Sequence, residues 1–155
     1  MKKILVWSVG ILVVVFLVIQ VKRPDRTNPP VNPSLVYTAH LSVPSDVDAM
    51  LRRACFDCHS NETRWPWYTN VAPVSWLVAQ DVEEGRKHLN FSEWGSLKKG
   101  RMIKKLADID GEVSDKSMPL PKYLRLHPEA VLTDANRDRL SKWVTEEGAK
   151  LGGGE

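Results

Sequence analysis

Cysteine is almost missing from this chain. Its 155 residues hold two, Cys55 and Cys58. A zinc site is left without the second ligand pair it needs, because His40, His88 and His127 are widely scattered. Charge of one sign is also scarce. The net charge is +3, and setting aside Lys2 and Lys3 leaves +1, too weak a field to draw a nucleic-acid partner. No stretch alternates apolar and polar residues beyond chance and no segment repeats, so neither strands nor a repeat architecture is expected. After the apolar N-terminus, Gln20-Val21-Lys22-Arg23-Pro24 offers no small-residue cleavage site, and no cysteine follows to take a lipid.

Long apolar runs are limited to one. Ile4 to Val21 spans 18 residues, broken by Ser8, Gly10 and Gln20, at the short end for a membrane crossing. Residues 1–21 are expected to form an uncleaved signal anchor. Lys2 and Lys3 compete with Lys22, Arg23 and Arg26, so the positive-inside rule leaves the orientation open. Residues 22–44 carry five prolines, at positions 24, 29, 30, 33 and 44. They are expected to form an extended, semi-stiff linker that holds a domain off the bilayer, with His40 in solvent.

The two cysteines belong to one motif, Cys55-Phe56-Asp57-Cys58-His59. Two thiols at this spacing can bond the two vinyl groups of one haem, and the next residue then offers an imidazole to the iron. This is the c-type attachment signature, and it predicts one covalently held haem with His59 as iron ligand. A thioredoxin-like dithiol is the other reading, but it asks for a strand–helix–strand setting that the flanks lack. Covalent haem implies an export compartment, which settles the orientation. The domain is expected on the periplasmic or outer face of the inner membrane.

Helical spacing predicts a helix from Ser45 to Cys55, with Val47, Met50, Leu51 and Ala54 on one face and a capping box at Ser45-Asp46-Val47-Asp48. A second is expected from Pro73, in the first helical position, to Leu89, with Val74, Leu77, Val78 and Val82 inward. A third should run from Ser92, as N-cap, to Ile109, closed by Gly111. After an irregular stretch, Glu112 to Leu132, a last helix should run from Thr133 to Lys150, with Leu140, Trp143 and Val144 inward. Residues 151–155 read as a frayed tail. The domain, residues 45–150, is therefore expected to be all-α and monomeric, and its small core leaves room for a porphyrin.

The ring nitrogen of His59 that faces away from the iron should donate to a backbone carbonyl, with that of Pro73 the candidate. Met118, before Pro119 in a stiffened loop, leads as the sixth ligand. His88, His127 and an open site remain alternatives. Trp67, Tyr68, Tyr123 and Arg64 are candidates to meet the propionates, and any of the aromatics can equally serve as core.

The runs CFDCHSNETRWPWY (Cys55 to Tyr68), NVAPVSWL (Asn70 to Leu77), LNFSEW (Leu89 to Trp94), MPLPKY (Met118 to Tyr123) and HPEA (His127 to Ala130) closely resemble the bacterial haem-binding domain family over about Leu41 to Gly148. The resemblance implies a variant of the class I cytochrome c fold, in which the first and last helices cross near the haem edge and a late methionine completes the iron. It supports Cys55, Cys58, His59 and Met118 in those roles. The function expected is a membrane-anchored one-electron carrier with an unidentified redox protein as partner, more a carrier than an enzyme. A haem-based sensor and an open-site haem enzyme are the alternatives.

Overall fold

The structure is a computed structural model and describes residues 1–153. It holds seven α-helices: α1 (Lys2–Ile19), α2 (Ser45–Ala54), α3 (Phe56–His59), α4 (Val74–His88), α5 (Lys99–Ser114), α6 (Pro121–Leu124) and α7 (Asp134–Gly152). Short 3-10 turns join several of them, and no strand occurs among the described residues. The all-α expectation holds. α1 is apolar all round, buries none of its residues, and is long and apolar enough to cross a membrane.

The proline-rich stretch does not stand off from the domain. Tyr37 is 1% exposed and packs edge-on against Phe56 and Phe91, with ring centroids 5.6 and 5.2 Å away. Leu41 joins the same core. Asn28 donates to Thr63 O at 2.9 Å, and Pro30 O accepts from Asn61 Nδ2. His40 is exposed, as expected, with Nε2 beside Ser34 O.

α2 buries Val47, Met50, Leu51 and Ala54, the face its spacing predicts. The capping box at its start does not form. Pro44 is the N-cap, and the two aspartates serve elsewhere. Asp46 pairs with Arg139 of α7 at 2.7 Å, and Asp48 takes the Tyr37 hydroxyl and Arg52. Pro73 is the N-cap of α4, one place before the position expected. α4 is also rotated from its apolar stripe. It buries Ser75, Val82 and Gly85 and leaves Val74 and Leu77 out.

The helix expected from Ser92 to Ile109 is two elements. Asn90, not Ser92, caps a 3-10 turn over Phe91–Ser96 by accepting from Ser92 N at 3.0 Å. Leu97 and Lys98 are extended, and α5 then starts at Lys99 and runs through Gly111 to Ser114. Trp94 stays fully buried from the turn.

α7 begins as expected. Thr133 Oγ1 accepts from Asn136 N, and Asn136 Oδ1 accepts from Thr133 N, both at 3.2 Å. Leu140, Trp143 and Val144 are buried. The expected tail is helical up to Gly152, while Gly154 and Glu155 lie outside the described residues. α7 packs along α5 and crosses α2, where Arg53 donates to Asn136 Oδ1. The first and last helices of the domain thus meet. Thr133→Ala removes a cap that is worth about 1 kcal/mol. A urea midpoint lowered with unchanged slope is the expected result.

Candidate functional site

A cavity of about 650 Å3 lies among α3, α4, α5 and the loop that leads into α6. Cofactor sites span roughly 300–1,000 Å3. Cys55, Cys58, His59, Met118 and Tyr123 all line it, so residues up to 68 positions apart in the chain meet around one cavity. Ala54, Leu89, Phe91, Ile109, Val113 and Leu120 supply its apolar surface.

Both thiols are half-buried and unpaired, and burial pushes each pKa up to about 12. They are neutral thiols at physiological pH. His59 Nδ1 lies 2.9 Å from Gly85 O and 3.1 Å from Leu89 O. Carbonyls only accept, so Nδ1 carries the proton and Nε2 keeps its lone pair. Burial holds the His59 pKa below its ordinary value, which favours the neutral ring a metal requires. The carbonyl expected near Pro73 is not the one used. α4 meets the motif with its C-terminal turn, not its first residue.

That meeting depends on Gly85. A Cβ there would stand 2.5 Å from Cys58 O and 3.0 Å from Cys58 C and Cβ. Arg86, the next residue, donates to Ser60 O (2.8 Å), Thr63 Oγ1 (2.9 Å) and Asn28 Oδ1 (2.8 Å). One guanidinium thereby ties α4, the end of the motif and the proline-rich stretch. Ser60 and Asn61 are buried and fully engaged. Ser60 Oγ donates to Phe56 O, Asn61 N donates to Ser92 Oγ, and Asn61 Oδ1 accepts from Asn90 Nδ2. The polar letters after the motif are scaffold.

Asp57, inside the motif, is 7% exposed. It accepts from Arg64 N, Nε and Nη2 and from Tyr123 Oη at 2.7 Å. Arg64 is committed to this fork. Burial, then Asp57, holds the Tyr123 hydroxyl above the usual phenol range. Tyr123 also stacks on His127, centroids 4.1 Å apart.

Four residues expected at the pocket, Arg64, Trp67, Tyr68 and Pro73, do not line it. Trp67 is 78% exposed, Pro73 is exposed at the start of α4, and Tyr68 Oη lies 2.6 Å from His127 Nε2. His127 is buried in that contact and meets Glu129 through Nδ1, away from the cavity. His88 does reach the wall, from the exposed end of α4. Met50 and Met102 are core residues. The indole N–H groups of Trp143, Trp76 and Trp65 donate to Ser42 O, Lys22 O and Asn28 Oδ1, while that of Trp94 is buried with no partner among the described residues.

Sequence reading passed over Asp57, Gly85 and Arg86. Two of them carried a signal. A glycine inside a helical pattern marks close packing, and an aspartate between two buried positions asks for partners.

The sequence profile of the haem-binding domain family matches residues 14–146. The chain belongs to the haem-binding domain family. No curated protein and no solved structure matches it. This haem-binding domain has a cavity suited to the group. Two thiols, an imidazole held through Nδ1 and a thioether line one cavity together with apolar side chains.

Proposed function

We propose that this haem-binding protein is a c-type cytochrome anchored in the inner membrane by α1, carrying one electron at a time on the periplasmic side. The observation that carries the reading is that Met118 lines the same cavity as Cys55, Cys58 and His59. Haem bound there supplies a one-electron iron couple. Cys55 and Cys58 would hold one porphyrin through two thioether links, and His59 Nε2 and the Met118 thioether would ligate the iron. The carbonyls of Gly85 and Leu89 fix the His59 ring and raise its basicity. Two protein ligands would leave the iron no place for a substrate, which favours a carrier over a sensor or enzyme.

The test is the absorption spectrum of the full chain, matured with haem and held in detergent, with and without carbon monoxide. A covalent low-spin haem with a methionine-to-iron charge-transfer band, unmoved by carbon monoxide, is expected. A high-spin spectrum that shifts at once would transfer the protein to the sensor or open-site class. Met118→Ala should abolish the band and lower the potential, within the roughly 0.8 V that haem ligation spans. His88→Ala should leave both in place, and the reverse pattern would put His88 on the iron.

A further inference from the structure

We propose that the domain lies directly on the bilayer crossed by α1 and that Trp67, Val74 and Leu77 enter the boundary between headgroups and acyl chains. The inference rests on the reading of α1 as a membrane span and goes beyond it, because a span by itself says nothing of how the domain sits.

Three observations place this surface. The first is its composition. Trp67, Val74 and Leu77 are 78%, 39% and 55% exposed. All three fall within five residues of Ala72 in the chain. α4 could have turned Val74 and Leu77 inward and instead packs through Ser75, Val82 and Gly85. Folding of the domain therefore leaves these apolar side chains without a covering partner.

The second is attachment. Gln20, immediately after α1, grips Ala72 from both sides. Its Nε2 donates to Ala72 O at 3.1 Å, and its Oε1 accepts from Ala72 N at 2.9 Å. Lys22 O accepts from Trp76 Nε1 at 2.7 Å, and Arg26 Nη1 donates to Thr69 O at 3.2 Å. The chain passes from α1 into the domain with no free spacer.

The third is length. The 18 residues of α1 rise about 27 Å, slightly less than the roughly 30 Å hydrocarbon core. Gln20 is then at the hydrocarbon edge, and Ala72 is held there with it. Side chains that flank Ala72 meet lipid before they meet bulk water. Their chemistry suits that depth. Tryptophan concentrates at the membrane interface, and leucine and valine prefer the acyl side. Lys22, Arg23 and Arg26 surround the same small recess as Gln20 and Ala72, and cations at that depth meet lipid phosphates.

The chain carries its own two reporters. Trp7 lies within α1 and Trp67 within the patch. The haem-loaded full chain, Trp7→Phe and Trp67→Phe would each be placed in vesicles of phosphatidylcholine and phosphatidylglycerol. The phosphatidylcholine is plain or brominated high on its acyl chains. Bromine quenches only indoles in contact with it, and subtraction of each variant from the parent isolates one tryptophan. Loss of both the Trp7 and the Trp67 emission in brominated vesicles is the expected result. The double variant Val74→Ser with Leu77→Ser should then weaken Trp67 quenching and leave that of Trp7 unchanged. Quenching of Trp7 with Trp67 bright and water-exposed would overturn the docking and leave the span intact; the patch would then await a protein. Emission from Trp7 that bromine does not touch would overturn the span, and the docking with it.

Discussion

Gly85→Ala should destabilise the domain by about 2 kcal/mol and disturb the ligation of the iron together. Alanine gains about 1 kcal/mol of helix propensity over glycine in a helix interior. Against that gain stands a Cβ placed 2.5 Å from the Cys58 carbonyl oxygen. The obstruction is backbone, so no rotamer change relieves it. Overpacking of a tight contact costs about 1–3 kcal/mol, and a backbone clash belongs at or above the top of that range. The relief available is for α4 to back away from α3. The carbonyls of Gly85 and Leu89 would then leave His59 Nδ1, and Arg86 would leave Ser60. The matched control is Gly148→Ala on α7, where a Cβ meets nothing within 4 Å, and there a gain of about 0.5–1 kcal/mol is expected. Urea midpoints of the haem-loaded chain measure the stability, and the low-spin spectrum reports the iron. If Gly85→Ala keeps both the midpoint and the spectrum of the parent, the close approach is not what seats His59.

Asp57→Ala is expected to cost about 2–3 kcal/mol, most of it through Tyr123 rather than through the ion pair. Arg64 is 61% exposed and can turn to water, and an exposed pair contributes only about 0–1 kcal/mol. The Tyr123 hydroxyl is less free. It sits beside the cavity with Asp57 as its acceptor, and a partly buried donor left unpaired costs about 1–3 kcal/mol. Asp57→Asn keeps an oxygen for Tyr123 and loses only the charge, so it should cost less than the alanine. A double-mutant cycle with Tyr123→Phe gives the coupling directly. Additive losses in that cycle would mean that Asp57 and Tyr123 act independently.

What could be read from the residues depended on whether local chemistry alone decided the outcome. The motif needs no tertiary context, because five consecutive residues carry its donors. Thr133 and Asn136 cap α7 with a reciprocal pair that lies within four residues of sequence. α2 shows its inner face because the same spacing serves propensity and packing. Elsewhere distant contacts decided. The order Ser45 to Asp48 predicts a capping box, but Pro44 is the N-cap and Tyr37 and Arg52 claim Asp48. The stripe on α4 predicts Val74 and Leu77 inward, but the close approach of Gly85 to Cys58 turns another face to the core. Trp94 and Leu97 fit a helical period with Ile103 and Leu106, yet Asn90 starts a 3-10 turn first and α5 waits until Lys99. The proline content of residues 22–44 described a stiff chain correctly and gave no hint of where that chain lies. Its position is fixed by Tyr37 against Phe91, by Asn28 on Thr63 and by Gln20 on Ala72, partners tens of residues away.

The join between the two ends of the domain also sets when it can be completed. Ser42 N donates to Glu147 Oε2, and Ser42 O accepts from Trp143 Nε1, both at 3.0 Å. These bonds span more than 100 residues of chain. Contacts so far apart in sequence must wait for the intervening loop to close. During synthesis Ser42 emerges more than 100 residues before Glu147, so this join cannot close while α7 is still being made. The closing of that join is a late event that waits for α7.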